Sequence, residues 1–459
     1  MSLVLGIDSS TQSCKALLVD ADSGHIVDQG HATHPAGTQV DPRAWVTAME
    51  QATAGLLERA DAVSVAGQQH GMVALDDHGG VVRNAMLWND TSSAQEAVDL
   101  IAELGGAQAA ADLIGSVPVA SLTGTKLRWL RNNEPDNADR VSTVLLPHDY
   151  LTWHLGGRQD FTTDHGDASG TGYYSTTRRE FLPELAEQFL GRPVALPRIA
   201  EPHEVVGRTS TGALIGAGTG DNMAAALGLD LTPGDVCVSL GTSGVVSAVV
   251  DTPVHDGTGS INGFSDATGR YLPLACTING ALVMNFAVNL LGVDHAEFAE
   301  LALAGQPGAG GLSLLPYFDG ERTPNRPNAT GVLRGLTTST TREDVARATV
   351  EGILCSLRDG ISALQSATGA SAEKILFIGG GARSRAIRTL APTIFGAPVV
   401  VPEPGEYVAL GAARQAAWAL SGNDTPPEWG GYPAGEAVGE TNDGVVASYR
   451  WLRDATESW

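Results

Sequence analysis

Apolar and polar positions along the chain fall into two rhythms. Short apolar runs, "LVLGID", "CKALLVD", "AVSVAG" and "GMVAL", read as strands, and an Ala-rich stretch near 42–59 reads as a helix. The second half repeats the alternation with "DVCVSLG", "GVVSAVV", a helix near 342–367, "KILFIGGG", another helix, "PVVVP" and a final helix from about 408. Strands alternating with helices in this way predict an α/β fold with mixed strands.

Two stretches, 3–20 and 236–250, share one plan of apolar strand, Gly/Ser/Thr turn and apolar strand. Such a turn can aim several backbone N–H groups and hydroxyls at one point, a nest for phosphate oxygens. One Gly/Ser-rich hairpin alone is an ordinary turn. Two in equivalent places of two halves point to phosphate. The first also carries Asp8 at the end of an apolar strand, where an acid is costly unless it is paired or bound to a cation.

Composition narrows the function classes. The 459 residues exceed what one hydrophobic core serves, and 43% hydrophobic content fills two, so two domains are expected. No low-complexity linker separates them, which leaves Gly218 and Gly220 as the expected hinge. A net charge of -24 opposes binding to nucleic acid or anionic membrane. The four cysteines, Cys14, Cys237, Cys276 and Cys355, lie far apart without CxxC pairing, which argues against a zinc site or disulfide framework and fits a reducing cytoplasm. No apolar stretch approaches the roughly 18 residues of a membrane span, and "LVLGIDSST" follows the first Met with no export signal.

Several motifs identify the chain as resembling the FGGY family of carbohydrate kinases: "SLTGTKLRWLRNN" (121–133), "LLPHDYLTWHLGG" followed by "DASGT", "YFDGERTPNRPNATG", "GVLRGLTTSTTREDVARATVE" (331–351) and "FIGGGARSRAIRTLAPTIFGAPV". The likeness runs nearly end to end. It implies two ribonuclease-H-like domains, as in actin and hexokinase, closing over ATP and sugar. Residues 1–220 are expected to form the sugar-binding domain and 221–459 the ATP-binding one.

The resemblance also gives roles to residues. In "GTGDNMAAALGL" (218–229), Asp221 by itself reads as a helix N-cap. In the family pattern it occupies the place of the catalytic base, with Asn222 helping to hold the sugar. A helix N-terminus favours the charged carboxylate such a base needs. Gln69 and His70 in "GQQHGMVAL" stand at the end of a strand, where open α/β sheets bind ligands. Trp88 and Asp90 of "LWND" supply an apolar face and an acceptor. Many relatives carry Arg two residues after this acid; here Ser92 stands.

For the nucleotide, the turn Ser10, Thr11 and Gln12, the pair Gly241 and Thr242, and Gly380, Gly381 and Arg383 are expected to bind ATP, with Asp8 holding Mg2+. "PEPGEYVALGAA" is expected to close the far side of that pocket. The "GQxHG" form resembles that of members acting on xylulose, so the implied reaction is ATP-dependent phosphorylation of D-xylulose to D-xylulose 5-phosphate. Alternatives are another ketose or polyol (ribulose, fuculose, glycerol), or a non-catalytic actin-like sugar sensor. Retention of Asp8, Asp221 and Thr242 favours the enzyme. The oligomeric state, a homodimer included, stays open.

Overall fold

A computed structural model describes residues 2–430, 432 and 441–457. In chain order the strands used below are β1 (Leu3–Ser9), β2 (Ser13–Asp20), β3 (Ile26–Thr33), β4 (Ala62–Gly67), β5 (Val205–Arg208), β6 (Leu214–Gly216), β7 (Thr219–Gly220), β8 (Asp235–Leu240), β9 (Gly244–Ala248), β10 (Tyr271–Thr277), β11 (Lys374–Ile378) and β12 (Val399–Val400). The helices are α1 (Arg43–Thr53), α2 (Thr123–Asn133), α3 (Pro147–Leu155), α4 (His165–Ala168), α5 (Asp221–Gly228), α6 (Ala281–Leu291), α7 (Arg342–Thr368), α8 (Arg385–Phe395), α9 (Tyr407–Ser421) and α10 (Asp443–Ala455).

The chain forms two units interleaved in sequence. One comprises Met1–Leu231, Asp251–Leu272 and Glu406–Gly431; the other comprises Thr232–Val250, Pro273–Gly405 and Tyr432–Trp459. The glycines offered as a hinge, Gly218 and Gly220, therefore lie inside the first unit and not at a passage between units. Steric demand explains both. A Cβ on Gly218 would fall 2.5 Å from His148 Cδ2, and one on Gly220 would fall 2.7 Å from Gln69 Cγ.

In the first unit a seven-stranded sheet runs in the order β5-β6-β4-β1-β2-β3, with β7 also pairing with β4. Strands β1, β6 and β7 run parallel to β4, whereas β1, β2 and β3 form an antiparallel meander. Alternation along β1 divides its side chains between two covered faces, as expected of a sheet buried on both sides. Leu5 and Ile7 pack with Val63, Val65, Trp45 and Tyr150. Val4 packs with Leu17, Ala62, Ala409 and Ala413 on the other face.

That second face shows where the helix of "PEPGEYVALGAA" packs. Helix α9 belongs to the first unit, because small residues let backbones meet: a Cβ on Gly6 would lie 1.9 Å from Ala409 O, and one on Gly411 would lie 1.8 Å from Ala224 O of α5. One helix thus buttresses both β1 and α5, the elements that carry Asp8 and Asp221. Gly411→Ala is expected to destabilise the protein by about 1–3 kcal/mol through overpacking, measured by denaturant unfolding. Nor is α9 the last helix, since α10 follows it.

The second unit repeats the plan. Strands β8, β9 and β10 form an antiparallel meander, and on the other side of β8 lie β11, parallel to it, and then β12, parallel to β11. The two turns that looked alike in sequence, after β1 and after β8, thus occupy the same place in two similar sheets. Helix α7 matches the pattern read near 342–367. Thr341 and Asp344 close a capping box at its start, and Gly369, at φ 70°, ends it.

Candidate active site

Three parallel strands end side by side in the first unit. Ser9 of β1 is in register with Gly67 of β4, and Gly67 with Gly220 of β7. Asp8, Gln68 to His70 and Asp221 therefore gather at the carboxyl edge of the sheet, where α/β folds bind ligands.

Asp221 is the first residue of α5, after Gly220 in extended conformation. Its Oδ1 accepts the Asn222 N–H at 2.8 Å and Asn222 Nδ2 at 3.1 Å. Asn222 Nδ2 also donates to Gln69 Oε1 at 2.8 Å. Gln69 is 3% exposed, and its Nε2 has no protein partner among the described residues, which leaves a buried donor for a ligand.

The expectation that the helix start keeps Asp221 at an ordinary carboxylate pKa is corrected. Burial, then the charges of Asp8 and Asp167, push it up to about 7 against the Asn222 hydrogen bond. Asp221 as a residue is only partly buried, although its carboxyl group sits deep among its neighbours. Asp8, 3% exposed, is likewise raised to about 6 by burial, against a hydrogen bond from Ser10 and the charge of Lys15.

His70 adopts a left-handed backbone, φ 66°, uncommon outside glycine. Its Nδ1 lies 3.0 Å from the Gly170 carbonyl, an acceptor, so Nδ1 carries a proton. Gly170 is needed there, because a Cβ would sit 2.3 Å from that Nδ1. Trp88 is 43% exposed, and its Nε1 donates to Thr11 Oγ1 at 2.9 Å, which ties the "LWND" loop to the β1–β2 turn. Asp90 is buried. It accepts from Thr38, Gln39 and the Ser92 N–H, and the Ser92 side chain bonds it as well, so Ser92 helps to hold the loop.

The turns of the second unit stand by themselves. After β8, the Gly241 N–H donates to Ser243 O, and the chain ahead of α6 closes on the turn through Gly280 N–H to Thr242 O at 3.1 Å, leaving Thr242 exposed. After β11, Gly380 has no atom within 4 Å of where a Cβ would stand, which gives a ligand room against the backbone. Gly381 differs: its absent Cβ would fall 2.5 Å from Leu240 Cγ, so packing explains that glycine. Arg383 is exposed. Gly379, which the sequence reading passed over, holds the strained position, with φ 92° and Leu240 O 2.6 Å from its missing Cβ.

Sequence reasoning also missed a buried cluster. His148 and Asp149 of α3 and Asp167 of α4 are all fully buried, with His148 Nδ1 2.6 Å from Asp167 Oδ2 and His148 Nε2 3.2 Å from Asp149 Oδ1. The signal was present as adjacent polar residues in the otherwise apolar "LLPHDYLTW". Asp164, also missed, links this cluster to the segment that leads into Asp221. It caps α4 through the Asp167 and Gly166 N–H groups and accepts from Thr219 Oγ1 at 2.7 Å, two residues before Asp221.

The family models for the N-terminal and C-terminal domains of the FGGY family of carbohydrate kinases match residues 3–228 and 236–420. The chain belongs to the FGGY family of carbohydrate kinases. A xylulose kinase of Streptomyces coelicolor is 46% identical over 437 residues, covering 92% of this chain and 89% of that protein. One from Streptomyces rubiginosus is 45% identical over the same length and the same shares of each chain. The solved xylulose kinase of Bifidobacterium adolescentis aligns with a TM-score of 0.92 at 45% identity, over 98% of this chain and 99% of that one. Plasmodium falciparum glycerol kinase, at 18% identity and a TM-score of 0.87 over 100% of this chain and 99% of that one, shares the fold. This kinase is thus an α/β protein of two FGGY domains. Among its described residues no helix is long and apolar enough to cross a membrane.

Proposed function

We propose that the kinase transfers the terminal phosphoryl group of ATP to the terminal hydroxyl of D-xylulose, giving D-xylulose 5-phosphate, with Asp221 as general base. The observation that carries this is Asp221 at the head of α5, partly open to solvent and next to the hydrogen-bonded pair Asn222 and Gln69. The xylulose kinases at 45–46% identity support the choice of sugar.

In a loose phosphoryl-transfer transition state the hydroxyl proton leaves late, so a positioned carboxylate suffices to receive it. The donor Gln69 Nε2 and the ring of His70 orient sugar hydroxyls, and the exposed face of Trp88 packs on sugar carbons. For ATP, the turn Ser10 to Gln12 and, in the turn Gly241 to Thr242, the exposed Thr242 offer hydroxyl groups to phosphates, and Gly380 offers backbone to the nucleoside. Arg383 is free to meet phosphate from the surface.

Asp8 fits magnesium. Its carboxylate is a hard oxygen donor, and burial raises its pKa despite the Ser10 hydrogen bond and the charge of Lys15, so a cation there would relieve the remaining cost of the buried charge. Magnesium so held supplies charge neutralisation on the phosphates.

An ADP-release assay across a sugar panel tests the reading. A site built to hydrogen-bond particular hydroxyls rejects epimers strongly, so kcat/KM for D-xylulose is expected to exceed that for ribulose or glycerol by about tenfold or more. A better substrate elsewhere in the panel overturns the sugar; no stimulation by any sugar overturns the kinase reading.

A further inference from the structure

Lys126 of α2 is 0% exposed, a burial that an ammonium group seldom suffers. Its Nζ donates not to a carboxylate but to two main-chain carbonyls, those of Ser121 and, at 3.1 Å, His70. Thr123 Oγ1, one turn earlier on the same helix, donates to the same His70 carbonyl at 3.1 Å. Two donors from one helix thus converge on the single residue of this loop with a left-handed backbone.

The rest of His70 is equally constrained. Its ring is set on the Gly170 carbonyl, fits a space that only glycine leaves at position 170, and lies 5.4 Å from the ring of Phe264. Sparsely populated backbone persists where its surroundings over-determine it, and such sites cluster where geometry serves function. A buried ammonium is an expensive way to satisfy two carbonyls that a hydroxyl or amide could serve, so its use on His70 marks a position whose orientation matters. Burial also lowers the Lys126 pKa to about 7, with Asp90 the charge that opposes the shift.

We propose that Lys126 is a positioning residue for the sugar site: its ammonium, together with the Thr123 hydroxyl, clamps the His70 carbonyl and fixes the left-handed turn that presents the imidazole to substrate. This rests on the reading of His70 as a sugar contact. Lys126 touches no substrate. It acts through His70.

The test is a double-mutant cycle in steady-state kinetics with D-xylulose. Lys126→Met keeps the aliphatic stem and removes the donor. It is expected to raise KM for sugar about tenfold or more, while kcat changes less than about threefold and KM for ATP holds. A merely structural role moves all three together. His70→Ala is expected to raise KM for sugar by a similar factor, and in that background Lys126→Met is expected to add little, because the clamp then positions nothing.

Independent, multiplying effects overturn the proposal, as does an unchanged KM for sugar in Lys126→Met when His70→Ala raises it. If His70→Ala itself leaves KM for sugar unchanged, His70 is no sugar contact and the proposal falls with that reading. Should Lys126→Met fail to fold, Thr123→Val removes the second donor at little structural risk. It is expected to raise KM for sugar alone, by a smaller factor, and no rise overturns the clamp.

Discussion

Asp221→Asn is expected to lower turnover by a factor on the order of 10² or more while sugar and ATP still bind. The substitution keeps the shape of the side chain, and its carbonyl oxygen can still accept from the Asn222 N–H that now bonds Oδ1 at 2.8 Å. What disappears is basicity. Single-turnover measurements with saturating substrates isolate that loss, and near-normal turnover removes Asp221 from the chemistry.

The same residue sets a pH dependence. Burial and the neighbouring charges of Asp8 and Asp167 raise its pKa to about 7, and a base works only when deprotonated. With Asp221 as the proposed base, activity is expected to rise with pH as it ionises, and the acid limb of kcat/KM is expected to lie above the ordinary carboxylate value of 3.8, read from a pH profile. In Asp221→Asn that limb disappears from the residual activity.

Periodicity exposed the sheets, because a strand covered on both faces writes an uninterrupted apolar run. β1, β2, β4, β8 and β11 were all legible for that reason. Where helix α9 docks was not legible. Its place depends on Gly6, Gly228 and Gly411 meeting Ala409 O, Tyr407 O and Ala224 O across hundreds of residues of sequence, and a glycine gives no local sign of the backbone it will touch.

At the site, residues that bring polar atoms to the end of a strand, Asp8, Gln69 and Asp221, were readable from position and resemblance. Those that act from beneath, Lys126, His148, Asp149 and Asp167, were quoted within family motifs but given no role, because burial of a charge is a tertiary fact. The raised pKa of Asp221 was misjudged for the same reason. Its local environment, a helix start, favours the anion, but enclosure and two distant carboxylates outweigh that effect.

His148→Ala is expected to cost about 3–5 kcal/mol of stability, read by equilibrium denaturation, because it strands two fully buried carboxylates without their cation. Burial alone would push the His148 pKa down, but Asp149 and the hydrogen bond to Asp167 outweigh it and raise it to about 9 from 6.5. Burial likewise raises Asp149 to about 7 from 3.8, so the folded cluster holds protons that the unfolded chain releases. The signs agree. A group whose pKa is raised on folding stabilises fully below its unfolded value and loses that contribution as pH climbs through the folded one. For His148 the loss spans pH 6.5 to about 9, at no more than about 1.4 kcal/mol per pH unit for one proton. The wild-type protein is therefore expected to lose stability on going from pH 6.5 to 9, and the part of that loss due to His148 is expected to be absent from His148→Ala. Replacing the carboxylates as well, in His148→Leu with Asp149→Asn and Asp167→Asn, is expected to recover part of the stability, since the penalty lies in the unpaired charges. A loss below about 1 kcal/mol in His148→Ala, with an unchanged pH slope, means that the imidazolium does not hold this cluster together. Because the ring lies against Gly218 and Asp167 is tied through Asp164 to Thr219, the same variant is expected to lower turnover by loosening the loop that delivers Asp221.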